Sequence, residues 1–111
     1  MDCGIGVIKE ALDFLVARHQ MIANNIANAG TPGFRPSDLV FRDVLSSRLK
    51  TSSPEPSRRL EAEVRPLKGP VQLDEEMARL AENSLRYYAL TQFAGRKFSQ
   101  LSLIINEGRK V

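Results

Sequence analysis

Residue types suited to catalysis are scarce in this chain. His19 is the only histidine, and Cys3 is the only cysteine. A catalytic nucleophile needs a base within hydrogen-bonding distance, and the sequence indicates no such pair. A single cysteine cannot form an internal disulfide, and no Cys/His spacing typical of a zinc site is present. We therefore predict a non-enzymatic protein without metal or cofactor, in which His19 has a structural role.

Three acidic residues lie close enough in sequence to suggest paired carboxylates for acid and base catalysis, namely Glu75, Glu76 and Glu82. The first two fall in the first turn of a predicted helix, where acids interact favourably with the helix dipole. The third falls on the polar side of the same helix. Acids in such positions are usually exposed, so we expect all three side chains to be solvated.

Basic and aromatic residues lie near one another in a single stretch. Arg86, Arg96 and Lys97 are close in sequence to Tyr87 and Phe98. One interpretation is therefore a small dimeric coiled-coil regulator that binds nucleic acid through these three basic residues. The net charge of 16 − 13 = +3 is spread along the chain and favours anionic partners only weakly. Binding to phosphates would weaken steeply with salt, which distinguishes this interpretation from assembly through apolar surfaces.

Two long helices are predicted from rows of residues spaced alternately three and four apart. They cover residues 4–28 and 73–107, and the second would be roughly 50 Å long. We predict an all-α fold in which these helices pack as an antiparallel coiled-coil-like pair. The first row is Ile5, Ile8, Leu12, Leu15, His19, Ile22 and Ile26, and the second is Leu73, Met77, Leu80, Ser84, Tyr87, Thr91, Ala94, Phe98, Leu101 and Ile105.

The middle of the chain, residues 29–72, is predicted to be irregular. It begins with a left-handed helix stop over Asn28–Gly30. Pro32 and Gly33 follow, in the order that favours the two central positions of a type II turn. We therefore expect the chain to change direction directly after the first helix.

Three further patterns fall within this middle. Residues 37–49 are compatible with a short third helix, and residues 50–59 have the composition of a flexible loop. Residues 60–64 alternate between apolar and charged side chains, and a turn at residues 68–70 would complete a short β-hairpin with Val71 and Leu73. A hairpin of this size needs support from a helix or a partner. Residues 1–111 are thus predicted to form one domain.

Asparagine occurs three times near the end of the first predicted helix, as Asn24, Asn25 and Asn28. Asparagine is a poor helix former, so propensity alone does not account for this cluster. The side chains could compete for backbone hydrogen bonds and fray the helix end. Alternatively, they could bond across an interface between chains and fix its register. The sequence leaves both interpretations open.

Two segments resemble a known protein family. Residues 23–34, ANNIANAGTPGF, resemble the N-terminal signature of flagellar rod, hook and hook-associated axial proteins. Residues 73–88, LDEEMARLAENSLRYY, resemble the C-terminal helix of the proximal rod subfamily of the basal body. The resemblance implies a structural subunit of the proximal rod, exported by the flagellar type III apparatus and assembled helically in the periplasm. It implies contacts with copies of itself, other rod subunits, the hook-basal body adaptor protein and the export gate, but with no nucleic acid or small-molecule substrate.

The N-terminal residues show neither a Sec signal peptide nor a membrane span, because Lys9, Glu10 and Asp13 interrupt the apolar residues. This agrees with the implied export route. The broad apolar faces of two helices exceed what one helix pair can bury, which favours assembly with neighbours. The predicted assembly interface consists of Ile8, Leu12, Leu15, Ile22, Asn24, Asn25, Ile26, Asn28, Thr31, Pro32, Gly33, Phe34, Leu80, Asn83, Tyr87, Phe98, Leu101 and Ile105.

Overall fold

A computed structural model describes residues 3–43 and 60–109 of the chain. These residues are mostly helical, but they also include a two-stranded antiparallel sheet, so the predicted all-α class needs correction. The elements in chain order are α1 (Cys3–Ala27), β1 (Ser37–Asp43), β2 (Leu60–Pro66) and α2 (Leu73–Arg109).

The two long helices lie within two residues of the predicted bounds at each end. In α1, the buried side chains Ile8, Leu15 and Ile22 repeat every seven residues, as expected for a helix packed along one face. His19 belongs to the same predicted row, but its side chain is exposed. The apolar spacing therefore predicts the helix and most, but not all, of its buried face.

The sheet pairs two segments that are distant in sequence. Its antiparallel register places Ser37 opposite Pro66 and Asp43 opposite Leu60. The strand predicted at residues 60–64 is confirmed as part of β2. Its predicted partners Val71 and Leu73 are wrong, because β2 pairs with β1 instead. The bend at residues 68–70 leads into α2, and Gly69 adopts a positive φ of 81° there.

The short helix predicted over residues 37–49 is wrong for the part that the structure describes, since Ser37–Asp43 is a strand. Leu39, Val40 and Phe41 form a continuous apolar run, which suits a strand covered by a helix. Asp38 does not cap a helix, because its carboxylate binds the guanidinium of Arg18. The rest of the predicted helix and the loop predicted at residues 50–59 lie outside the described residues.

The turn after α1 agrees with the prediction at Gly33 and differs from it at Gly30. Gly33 has a φ of 77°, and the Phe34 amide donates a 3.3 Å hydrogen bond to the Thr31 carbonyl. A positive φ at this position is typical of a type II turn. The predicted left-handed stop at Gly30 is wrong, because Gly33 and Gly69 are the positive-φ residues among those described. The last turn of α1 tightens instead, with the Ala29 amide bonded to the Ile26 carbonyl.

The apolar core is small, and the molecule is thin. The described residues extend over 66 × 38 × 15 Å, and the smallest dimension is little more than one helix diameter of about 10–12 Å. The radius of gyration is 18.8 Å, whereas a compact domain of similar length has about 13 Å. A layer of this thickness leaves both broad faces open to solvent. The buried apolar residues are Ile8, Leu15, Ile22, Leu39 and Ala94.

Phe41 anchors the sheet on α1. Its ring meets the ring of Phe14 edge to face, with centroids 4.5 Å apart and an interplanar angle of 66°. Aromatic pairs in this geometry contribute about 0.5–1.5 kcal/mol beyond simple burial. The contact supports a two-stranded sheet that would be marginal by itself.

Replacing Phe41 with alanine should lower the free energy of unfolding by about 2 kcal/mol, because the ring loses its packing on α1. Urea denaturation followed by circular dichroism measures this change. Combining Phe41→Ala with Phe14→Ala should show a coupling of about 1 kcal/mol. Val64→Ala in the exposed part of β2 is the control, with an expected change below about 0.5 kcal/mol. Equal losses for Phe41→Ala and Val64→Ala would contradict the proposed anchor.

Candidate assembly surface

One asparagine side chain connects three elements of the fold. Asn25 in α1 is 2% exposed, and its Nδ2 donates hydrogen bonds to the Ser37 carbonyl at 2.7 Å and to Glu76 Oε2 at 3.2 Å. The Ser37 amide in turn donates to Asn25 Oδ1 at 3.4 Å. These bonds hold the end of α1 against the start of β1 and the first turn of α2. We call Asn25, Ser37, Glu76 and Arg79 the polar joint.

Glu76 is the buried charge of the polar joint. Its side chain is 1% exposed, and Arg79 Nη1 donates to Oε1 at 2.6 Å. A buried carboxylate is tolerated only when its charge is paired and its oxygens accept hydrogen bonds, and both oxygens of Glu76 do so. The expectation of a solvated Glu76 is therefore wrong, whereas Glu75 and Glu82 are exposed as predicted.

A second ion pair joins α1 to β1. Arg18 donates from Nε to Asp38 Oδ1 at 3.0 Å and from Nη2 to Oδ2 at 3.2 Å, and both side chains are nearly buried. Sequence reasoning missed this pair. The available signal was that Arg18 lies three residues after Leu15 and four before Ile22, on the apolar face of the helix. A charged residue in that position requires a partner when the face is covered.

Asn83 forms a second polar contact between the long helices, beside the middle of α1. Its Nδ2 donates to the Leu15 carbonyl at 2.9 Å, and the residue is 1% exposed. Its Oδ1 is buried and has no hydrogen-bond partner within the described residues. Asn83 also lines a cavity of about 350 Å³, which we call the α1–α2 groove. The other residues that line the groove are Leu15, Val16, His19, Gln20, Ser84 and Tyr87.

The face of α2 that packs against the rest of the molecule differs from the predicted row. Met77 and Ser84 were expected on that face, but both are exposed, Met77 by 55%. The adjacent polar residues Glu76 and Asn83 are buried instead. The packed face is shifted because hydrogen bonds with α1 pair Glu76 Oε2 and Asn83 Nδ2, whose residues hydropathy alone would place in water.

The other asparagines stabilise the turn after α1. Asn28 Nδ2 donates to the Asn24 carbonyl at 2.8 Å, and the Thr31 hydroxyl donates to Asn28 Oδ1 at 3.2 Å. The hydrogen bonds described for Asn24, Asn25 and Asn28 thus all lie within one chain. A role of Asn24 and Asn28 in contacts between chains stays a prediction.

The last twelve described residues of α2, residues 98–109, carry exposed apolar side chains, and we call them the distal segment. Phe98 and Ile105 are each 57% exposed, and Leu101 is half-buried. These three residues follow Ala94 at steps of four, three and four, so they continue the helix face on which Ala94 is buried. The packed face of α2 therefore extends beyond the part that the other described residues cover.

The predicted interface residues fall into three groups. The buried ones are Ile8, Leu15, Ile22, Asn25 and Asn83. The half-buried ones are Leu12, Ile26, Asn28, Phe34, Leu80 and Leu101. The exposed ones are Asn24, Thr31, Pro32, Gly33, Tyr87, Phe98 and Ile105. The structure thus uses the first group inside the chain, and it leaves the third group, which is concentrated in the turn and on α2, accessible to a partner.

The side chains considered for a metal site or for nucleic-acid binding do not come together into a site within the described residues. Among residues 3–43 and 60–109, no three metal-ligating side chains of the His, Cys, Asp or Glu type come together. Of the basic residues considered for nucleic acid, Arg86 pairs with Glu82, and the Lys97 ammonium lies 5.6 Å from the centre of the Phe93 ring. In the same described part of the chain, no helix has the length and apolar character needed to cross a membrane.

Comparison with known proteins finds flagellar rod proteins. Residues 11–35, which include Arg18 and Asn25, match the family described as Flagella basal body rod protein. A flagellar basal body rod protein FlgB from Proteus mirabilis (strain HI4320) is 26% identical over 125 residues, covering 90% of this chain and 91% of the relative. FlgB proteins from Bacillus subtilis (strain 168) and Aquifex aeolicus (strain VF5) are 27% and 25% identical, each with 92% of both chains covered.

Replacing Asn25 with alanine should lower the free energy of unfolding by about 2–4 kcal/mol, because buried groups of Ser37 and Glu76 lose their partner. Chemical denaturation followed by circular dichroism measures the loss. Gln20→Ala is the matched control, since it removes a side-chain amide at an exposed position of the same helix. Its expected effect is below about 0.5 kcal/mol. A similar loss for both variants would show that the polar joint does not hold the fold.

Proposed function

We propose that this chain, which belongs to the flagellar basal body rod family, is a structural subunit of the rod that assembles through its two terminal helices. In this proposal the chain is exported by the flagellar type III apparatus and joins a helical assembly in the periplasmic part of the basal body. Its neighbours are copies of itself, other rod subunits and the hook-basal body adaptor protein, and it meets the export gate during secretion. The proposal includes no catalytic activity.

The exposed apolar face of the distal segment is the observation that carries this proposal. Phe98, Leu101 and Ile105 continue the packed face of α2, where the described residues leave Phe98 and Ile105 exposed and cover Leu101 only in part. Burying apolar surface is the main favourable term in protein association, at about 25 cal/mol per Å². A row of this kind on a structural protein is best explained by a helix of a neighbouring subunit.

An antiparallel arrangement of α1 and α2 explains where the exposed face begins. Asn25 of α1 bonds to Glu76 of α2. Ten residues earlier in α1, the Leu15 carbonyl accepts a hydrogen bond from Asn83, which lies seven residues after Glu76 in α2. Contacts thus move forward along α2 as they move back along α1. In an antiparallel pair in register at Asn25 and Glu76, the start of α1 lies level with about residue 98. The distal segment then extends roughly 18 Å beyond α1, at 1.5 Å for each of its twelve residues.

The thin core suits a subunit that is secreted before it assembles. Five buried apolar side chains and a layer 15 Å thick provide little stability to the single chain. A marginally stable chain is easily unfolded for passage through a narrow channel, and binding to neighbours then contributes the missing stabilisation. The low stability of the single chain is therefore consistent with both secretion and later assembly.

The alternative of a nucleic-acid-binding regulator receives no comparable support from the described residues. Arg86 is neutralised by Glu82 on its own helix, and Lys97 lies over Phe93. The charge of Arg86 is thus paired, which leaves the exposed Arg96 and Lys97 as the remaining basic residues of this alternative.

Replacing Leu101 with aspartate should abolish incorporation into the basal body and motility. The substitution places an unpaired charge on a face that the proposal buries, which costs several kcal/mol. The measurements are immunoblots of purified basal bodies and swimming in soft agar by cells that produce only the variant. Circular dichroism of the purified variant shows whether its helices remain intact.

Ser99→Asp is the matched control for Leu101→Asp. It introduces the same charge two residues earlier, at an exposed position on the far side of α2. We expect nearly normal incorporation and swimming for this control. Normal swimming by cells with Leu101→Asp would contradict assembly through the distal segment.

A further inference from the structure

The α1–α2 groove is an incomplete surface in the single chain. Leu15, Val16 and Tyr87 give it apolar walls around about 350 Å³, and Asn83 lies in its lining. Asn83 Oδ1 is buried and accepts no hydrogen bond from the described residues. Since more than nine in ten buried polar groups in native structures are paired with protein or ordered water, an occupant that supplies a donor would complete the groove.

The orientation of the Asn83 amide is fixed, so the missing partner must be a donor. Its Nδ2 donates to the Leu15 carbonyl at 2.9 Å. Exchanging the nitrogen and oxygen of the amide would place two carbonyl oxygens against each other and lose this bond. The oxygen therefore remains the unpaired atom, and it can only accept.

The distal segment has the chemistry that fits this groove. Phe98, Leu101, Ser102 and Ile105 follow the spacing i, i+3, i+4 and i+7, which places them on one helix face. Three of these side chains are apolar, and the fourth has a hydroxyl that donates a hydrogen bond. An amphipathic helix laid in an apolar groove uses this spacing of anchor residues.

A second copy of the chain can supply this occupant. The distal segment and Asn83 belong to one continuous helix, Leu73–Arg109, so the segment cannot fold back into the groove of its own molecule. Its apolar face continues the face on which Ala94 already packs within the chain. A second apolar helix surface is therefore a suitable partner for this face.

We propose that the distal segment of one copy docks in the α1–α2 groove of a second copy, where the Ser102 hydroxyl donates to Asn83 Oδ1. Because Asn83 Oδ1 is buried in the single chain, the docking includes a side-chain rearrangement at the groove that admits the hydroxyl. This proposal rests on the proposed rod function and specifies the contact between copies. Because the groove and the distal segment are different surfaces of the same chain, the contact is head-to-tail, and it gives an open helical array when the rotation between copies does not close a ring.

Cysteine cross-linking in isolated basal bodies tests the docking. Cells produce the full chain with Cys3→Ser, Val16→Cys and Ile105→Cys, which places one thiol in the groove and one on the docking face. Mild oxidation should give a disulfide-linked dimer at twice the 12.4 kDa of the chain, followed by higher multiples. The matched control exchanges Ile105→Cys for Leu103→Cys, which is similarly exposed but lies on the opposite side of α2. The control should give at least fivefold less dimer.

The hydroxyl is tested by comparing Ser102→Ala with Ser102→Thr in the same cross-linking assay. Losing the donor for a buried acceptor should reduce the dimer yield about tenfold for alanine, whereas threonine keeps the hydroxyl and most of the yield. Ser99→Ala, on another face of the distal segment, should leave the yield unchanged. Equal yields for the alanine and threonine variants would overturn the assigned hydrogen bond.

The outcomes separate the docking from the rod function. If the Cys3→Ser parent is present in basal bodies but the Ile105 and Leu103 pairs cross-link equally, the docking is overturned and the rod function stands. If the parent is absent from basal bodies while the cells still make it, the rod function itself fails. Dimer formation that favours Ile105 and requires a hydroxyl at position 102 supports both.

Discussion

The amide of Asn25 is the constraint on which the other contacts depend. It bonds to the Ser37 backbone on one side and to the Glu76 carboxylate on the other, so it fixes the positions of β1 and α2 relative to α1. Apolar contacts near this point are few, with Ile22, Pro36 and Leu39 as the buried side chains. Apolar packing is not directional, whereas these hydrogen bonds permit one arrangement. The register of the helices, and hence the length of α2 left uncovered, follows from the polar joint.

The sequence predicts the parts of the fold that depend on local patterns. Steps of three and four residues locate both long helices, and alternation over residues 60–64 locates β2. β1 was not predicted, because an aspartate at this position can either cap a helix or pair with a buried positive charge. The sequence suggested a cap, whereas in the structure Asp38 pairs with Arg18. The partner Arg18 lies 20 residues away in sequence, so no local pattern identifies the pair.

The packed face of α2 shows the same limit within the candidate site. Hydropathy favoured Met77 and Ser84, but the structure buries Glu76 and Asn83, each one residue earlier. Their partners lie 51 and 68 residues away along the chain. A polar residue is buried when a distant group satisfies it, and a single sequence records the residue but not the distant group. The turn residues and the exposed apolar row of the distal segment could be predicted, because their positions depend on local sequence and not on a distant hydrogen-bond partner.

A polar joint also gives an assembly protein something that an apolar seam would not. Two helices that pack through regularly spaced apolar residues can slide by seven residues, about 10 Å, and recover equivalent contacts. Such a slide would move α1 over part of the distal segment and cover the surface that the proposed function needs. It would also separate Asn25 from Glu76 and leave a buried charge without its donor, which costs several kcal/mol. The buried glutamate therefore holds α1 at one end of α2, and the other end remains free for a neighbouring subunit.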